Sequence, residues 1–207
     1  MTFDLFSAPT TKSDNPQQIS LPDGNVVLYP QFFSRNESDH YLRDLAEHVT
    51  WKQERIKLYG KEHDIPRLTA WYGDPGKSYI YSGIRVDAAP WTETLLAIKN
   101  QIETASGETF NSVLLNFYRK GSDSVSWHSD DEPELGKTPT IGSVSFGQER
   151  PFQLKHKRNP SLKHSILLPH GSLLIMRGDT QRNWLHQIPK SSKELSPRIN
   201  LTFRTVR

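Results

Sequence analysis

The sequence predicts an α+β protein that is mainly β, a double-stranded β-helix (jelly roll) with supporting helices. Two amphipathic helical segments occupy the first half of the chain. From residue 111 onward the signals change to seven short runs of β-type residues. Turn residues separate those runs closely, among 14 prolines and 12 glycines in 207 residues. Many short strands after two helices, with polar candidate site residues on strands distant in the chain, fit a closed β architecture backed by helices.

The elements follow in order. Residues 1 to about 20 are rich in Asn, Gln, Ser, Thr and Lys and are expected to be a mobile tail, with order beginning near Val26. Ser34 and Glu37 have the spacing of a capping box and precede Leu42, Leu45, Ala46 and Val49 at helical intervals, which predicts a helix from about 35 to 50. A second helix is marked by Pro90 at its first turn, by Trp91, Leu95, Ile98 and Ile102 on one face, and by Gly107 as its stop. The strand runs are 113–119, 140–146, 151–156, 164–169, 171–177, 183–188 and 197–205. No internal repeat is found. A chain of this length buries one substantial core, so one domain over 21–207 is expected.

Composition narrows the chemistry. There is no cysteine, which excludes disulfides, iron–sulfur clusters and thiolate catalysis. The start lacks the basic residues and apolar core of a secretory signal, and no run of 18 apolar residues occurs, so a soluble intracellular protein without membrane contact is expected. A formal net charge of +3 and a pI near 9.0 are compatible with a polyanionic partner.

The most specific chemical signal is Trp127-His128-Ser129-Asp130 together with His186. Eight histidines and 23 acids predict about one His-x-Asp/Glu by chance, so the pair alone proves nothing. On an extended segment, however, side chains two apart point the same way, and His128 and Asp130 would reach one ion. His186 would arrive from another strand. Two imidazoles and one carboxylate hold one face of a ferrous ion and leave its other positions open, the arrangement of non-haem oxygenases.

The terminal run adds a second site. With a period of two, Arg198, Asn200, Thr202 and Arg204 share one strand face, and Ile199, Leu201 and Phe203 share the other. A solvated edge strand is the alternative. Upstream, Leu114, Asn116 and Tyr118 alternate with Val113, Leu115 and Phe117. An amide, a phenol and a bidentate arginine suit a small dicarboxylate.

These residues resemble the AlkB family of Fe(II)/2-oxoglutarate-dependent dioxygenases, which repair alkylated nucleic-acid bases. The matching pieces are N-F-Y at 116–118, H-S-D-D-E at 128–132, W-L-H at 184–186 and R-I-N-L-T-F-R at 198–204. Their spacing fits too: Asn116 and His128 are twelve positions apart, and His186 and Arg198 likewise. The likeness extends from about Gly60 to the C-terminus and its pattern is closest to the homologues active on duplex DNA. It implies the jelly-roll fold, iron bound by His128, Asp130 and His186, and 2-oxoglutarate held by Asn116, Tyr118, Arg198, Asn200, Thr202 and Arg204, with Arg198 on the distal carboxylate. It also implies O2 as oxidant, oxidative dealkylation of 1-methyladenine- and 3-methylcytosine-type lesions, and release of formaldehyde, succinate and CO2. Residues 21–110 would then carry the helices and a nucleotide-recognition segment, and 111–207 the catalytic core.

Substrate recognition is expected in the segment 51–82, where cations such as Lys52, Arg55, Lys57, Lys61 and Arg67 interleave with aromatic rings. Core packing is the favoured reading for Trp51, Trp71 and Tyr72. Tyr79, Ile80 and Tyr81 match the base pocket of the duplex-active relatives, and Leu58, Tyr59, Gly60 and Lys61 match the hairpin that they push into the duplex. Asp131 and Glu132 would favour cationic bases if they lie beside the pocket; a helix start or the surface is the alternative. Lys155, Lys157, Arg158 and Lys163 form a basic hairpin tip that is either solvated or grips phosphates. The expected partner is alkylated DNA, and the chain is expected to be a monomer, cytoplasmic if bacterial and nuclear if eukaryotic. The same chemistry on RNA or on a protein side chain, and a non-catalytic nucleic-acid-binding module, are the other readings that the residues leave open.

Overall fold

The computed structural model describes residues 15–58, 60–81 and 84–207, without the side chains at 58, 78–81 and 84–86. In chain order the elements are β1 (Gln17–Leu21), β2 (Gly24–Tyr29), α1 (Arg35–His48), the hairpin β3 (Arg55–Leu58) and β4 (Lys61–Asp64), β5 (Leu68–Gly73), the hairpin β6 (Ser78–Tyr81) and β7 (Ile84–Asp87), and α2 (Glu93–Ser106). There follow β8 (Ser112–Tyr118), β9 (Val125–His128), β10 (Ile141–Gly147), β11 (Arg150–His156), β12 (Lys163–Leu168), β13 (Ser172–Arg177), the single turn α3 (Thr180–Asn183), β14 (Trp184–Ile188) and β15 (Arg198–Arg204). The seven strand runs read from periodicity are all present, each within one residue of its expected bounds.

Two antiparallel sheets form the body. The larger has the order β1-β2-β13-β10-β15-β8-β5 and the smaller β12-β11-β14-β9. Chain neighbours are often not sheet neighbours, as a jelly roll requires: β15 lies between β10 and β8, and β14 between β11 and β9. Alternation along β15 then divides two cores. Ile199, Leu201 and Phe203 face the helices, where they pack with Leu45 of α1 and Leu95, Ile98 and Ile102 of α2. Tyr118, Phe152, Leu154, Trp184 and Ile188 belong to the second cluster, drawn from both sheets. The inner face of β15 and β8 supplies polar groups to the space between the sheets.

Each helix is fixed by local chemistry. The Ser34 hydroxyl accepts from the Glu37 N–H at 3.3 Å, and the Glu37 carboxylate accepts from the Ser34 N–H at 2.9 Å. That reciprocal cap satisfies two donors that the first turn of α1 leaves open. α2 begins later than expected: Thr92 caps it by accepting from the Leu95 N–H at 3.2 Å, and Pro90 lies outside the helix. Gly107 ends α2 at φ 71°, a left-handed conformation that costs glycine little.

Three further differences are physical. Of the tail expected over residues 1–20, residues 1–14 lie outside the described residues and Gln17–Ser20 are instead ordered, because Gln17–Leu21 pairs with β2 and Leu21 is buried. Backbone pairing orders an edge strand even where its side chains are polar. β9 gave no alternating signal, since only four residues long it carries a ligand candidate rather than an apolar stripe. α3 is one turn, too short for any helical period to register.

Candidate active site

Strand pairing brings the three metal-ligand candidates together. β14 and β9 are neighbours, and His186 pairs directly with His128 across them. Their rings lie 4.3 Å apart, centroid to centroid. Asp130 follows β9 and reaches the same point, so that one ligand atom from each of His128, Asp130 and His186 lies within 4.8 Å of the others. Among the described residues this is the only such cluster of three or more His, Cys, Asp or Glu.

The surroundings fix the form of each ligand. The Nδ1–H of His128 donates to the Ser126 carbonyl at 2.8 Å, which leaves Nε2 as the lone-pair nitrogen. His186 is buried and stacked on Phe152 at 5.0 Å. Burial, and next the neighbouring His128, push its imidazole down to about 3, so it is neutral, the form that binds metal. Burial alone would raise the Asp130 carboxyl, but the Arg204 guanidinium against it holds it below the ordinary carboxylate range. Arg204 donates from Nη2 to Asp130 Oδ1, and the Asp130 N–H donates to Gln181 Oε1 at 3.0 Å. The neutral imidazole of His186, the Nε2 of His128 and an ionised carboxylate suit borderline Fe(II).

Beside the triad, between the sheets, lies a cavity of about 390 Å³. β8 and β15 present Asn116, Tyr118, Arg198, Asn200, Thr202 and Arg204 to it, the face that alternation assigned to them. Arg198 is 1% exposed, and the ring of Tyr118 lies 5.1 Å from its guanidinium. One of its nitrogens donates to Ser145 Oγ at 2.9 Å, but Nε and Nη1 have no hydrogen-bond partner. Burial lowers this guanidinium to about 10, yet it stays a cation at neutral pH. A buried cation with open donors on a cavity wall calls for an anionic acceptor, and a carboxylate fits. The donors of Asn200 are differently placed: both go to the sheet, to Ser143 Oγ at 2.9 Å and the Val144 carbonyl at 2.8 Å, while its carbonyl accepts from Thr202 at 3.2 Å. Its geometry is that of a brace within the wall.

The first half of the chain completes the lining of the cavity. Arg67 reaches in and donates from Nε to Asn116 Oδ1 at 2.7 Å. Trp71, read as core, instead lines the cavity. The signal was the register of β5 on β8: Thr69 pairs with Asn116 and Trp71 with Leu114, so Trp71 shares the inner face, whereas Tyr72 goes to the core beneath the helices. Trp51 packs against that same core, its ring 5.1 Å from Phe117. Glu54, Ile56, Ser126 and Trp127 also line the cavity and were not singled out as site residues by their sequence context.

The two acids after the triad part company. Glu132 lines the cavity. Asp131 does not: it is exposed and ion-paired with Lys157 Nζ at 2.8 Å, which corrects its expected place beside the pocket. Asp130 points inward, so its chain neighbour turns out, where the basic hairpin tip meets it. Gly60 (φ 79°) and Lys61 are exposed in the β3–β4 hairpin, where Leu58 pairs with Lys61. Tyr59 lies outside the described residues. Tyr79, Ile80 and Tyr81 form the backbone of β6, and their side chains lie outside them as well.

Comparison with known proteins agrees with this geometry. The family described as the 2OG-Fe(II) oxygenase superfamily matches residues 25–204. The chain is 46% identical over 201 residues to alpha-ketoglutarate-dependent dioxygenase alkB homolog 3 of Homo sapiens, covering 91% of this chain and 70% of that protein. It is 39% identical over 194 residues to DNA oxidative demethylase ALKBH2 of Homo sapiens, covering 89% and 74%. A solved structure titled "The structure of OsALKBH1" superposes with a TM-score of 0.64 at 17% identity, covering 91% of this chain and 100% of that one, a likeness of fold alone.

Proposed function

Because this chain belongs to the AlkB family within the 2OG-Fe(II) oxygenase superfamily, we propose that its cavity carries out oxidative dealkylation of N-alkylated DNA bases. The enzyme is a dioxygenase that uses Fe(II), 2-oxoglutarate and O2. The observation that carries the reading is the convergence of His128, Asp130 and His186 on one point beside the buried, open-donor guanidinium of Arg198. His128, Asp130 and His186 would hold the iron. The iron, with 2-oxoglutarate and O2, would supply the oxidising chemistry for hydroxylation of an N-alkyl carbon, with formaldehyde, succinate and CO2 as the products.

The protein's own groups bind and orient. Arg198 takes a carboxylate of the keto acid, with Tyr118 and Asn116 on the same wall. Arg204 keeps Asp130 ionised and aimed. Trp71, in the cavity lining, offers a face on which an extruded base can stack, and Glu132 favours bases that carry positive charge, as 1-methyladenine and 3-methylcytosine do. Lys155, held over the Trp127 ring at 4.6 Å, and the exposed Arg158 and Lys163 supply cations for a phosphate backbone.

The test is a paired assay of formaldehyde release, with one methylated base placed in single-stranded DNA, duplex DNA or RNA. Formaldehyde matching succinate on a DNA substrate is the expected result. Release from RNA alone would move the substrate assignment, and none from any nucleic acid would remove it.

A further inference from the structure

Arg150, at the start of β11, is 2% exposed and does not line the cavity, but it lies against Tyr118, which does. Its guanidinium lies 5.8 Å from the ring of Tyr118, the same ring that Arg198 approaches at 5.1 Å. One nitrogen, Nη2, donates to three carbonyls: Gly121 at 3.3 Å, Asp123 at 3.0 Å and Pro189 at 2.7 Å. Gly121 and Asp123 belong to the connection between β8 and β9, and Pro189 follows β14. The residue therefore ties together the ends of strands that carry Tyr118, His128 and His186.

Among the described residues no carboxylate forms an ion pair with it. The nearest buried carboxylate, Asp123, is taken by Arg119, which grips it from Nε at 2.8 Å, from Nη2 at 3.1 Å and from its backbone N–H at 2.9 Å. The Nε of Arg150 is buried without a hydrogen-bond partner, like Nε and Nη1 of Arg198. A buried guanidinium solvated only by carbonyls is costly, and two of them around one phenol repel each other. Apolar packing of the same volume would serve stability better. The arrangement makes sense where a ligand with negative charge enters to offset both.

We propose that Arg150 is a positioning residue for the keto-acid co-substrate, acting through Tyr118 and adding a second buried positive charge to the pocket that receives the dianion. This rests on the dioxygenase reading above. It predicts a division that a scaffold role does not produce. Replacing Arg150 weakens 2-oxoglutarate binding, while the response to the oligonucleotide and the turnover at saturating co-substrate change little.

The experiment compares wild type with Arg150→Met, which keeps the bulk and removes the charge, and Arg150→Lys, which keeps the charge and loses the fork. The direct readout is calorimetric titration of 2-oxoglutarate into the anaerobic Fe(II) enzyme, with the gain in melting temperature on adding 2-oxoglutarate measured beside it. Arg150→Met is expected to bind about tenfold more weakly, some 1.4 kcal/mol, with Arg150→Lys between it and wild type. KM for 2-oxoglutarate should rise in parallel, with kcat within about threefold and KM for the methylated oligonucleotide unchanged. If Arg150→Met does not fold, Arg150→Gln, which also removes the charge, takes its place, and wild-type affinity with an unchanged melting gain in that variant overturns the proposal. Variants that lose stability or kcat but bind 2-oxoglutarate like wild type overturn the proposal and leave a purely structural clamp. Failure of the wild-type enzyme itself to bind 2-oxoglutarate would instead overturn the dioxygenase reading.

Discussion

At the scale of single residues, the two arginines of β15 have separate tasks. They share a strand face and a spacing that made them look alike, but Arg198 makes no ion pair among the described residues and keeps Nε and Nη1 open, whereas Arg204 spends Nη2 on Asp130 and keeps only Nε open. Arg198→Ala should therefore raise KM for 2-oxoglutarate by roughly 10- to 100-fold, the worth of a charge-assisted hydrogen bond, with a smaller effect on kcat. Arg204→Ala should raise the Fe(II) concentration needed for half-maximal activity, because the carboxylate ligand loses its aim. Steady-state titration of each component separates the two, and an identical pattern in both variants would contradict the division. Trp71 provides a second contrast. If its indole stacks on the extruded base, Trp71→Ala should raise KM for the oligonucleotide by about 5- to 100-fold and leave KM for 2-oxoglutarate unchanged. A shift in both would mean that the ring only supports the wall.

At the scale of elements, what could be read in advance was what repeats locally. β8 and β15 declared themselves because one apolar face must meet the helices while the polar face meets the site, and α1 because its cap and its stripe lie within one stretch of chain. What stayed hidden depended on a partner. Trp71 was assigned to the core because only the pairing of β5 with β8 tells which way it faces. Asp131 stayed open between the pocket and the surface because its partner Lys157 stands 26 positions away. Asn116, Tyr118 and the triad were legible together because their spacing repeats a known chemical pattern, not because any one of them is distinctive. The cap of α1 gives an element-scale test far from the site. Ser34→Ala should cost about 1 kcal/mol. Thermal unfolding should then begin about 2–4 °C lower, with activity at 25 °C unaffected. An unchanged melting temperature would show that tertiary packing, not the cap, holds the helix start.

At the scale of the whole molecule, the sandwich places a cavity lined by charged and polar groups between its two sheets. A formal charge of +3 is modest, so any nucleic-acid affinity must come from local groupings such as the exposed Arg158 and Lys163 at the β11–β12 tip. Changing both to Gln should flatten the slope of log affinity against log salt for a single strand by about 1.4, near 0.7 for each lost phosphate contact. An unaltered slope would take that tip out of the interface. No helix among the described residues is long and apolar enough to cross a membrane. The common requirement behind these expectations is that three side chains and one guanidinium make a single metal and keto-acid site. The most direct measurement is anaerobic: Fe(II) and then 2-oxoglutarate are added to wild type, Asp130→Ala and Arg198→Ala while the visible spectrum is recorded. The weak charge-transfer band of the chelated keto acid should form in wild type, need more 2-oxoglutarate in Arg198→Ala and vanish in Asp130→Ala; a band of full strength in Asp130→Ala, or none in wild type, would contradict the site.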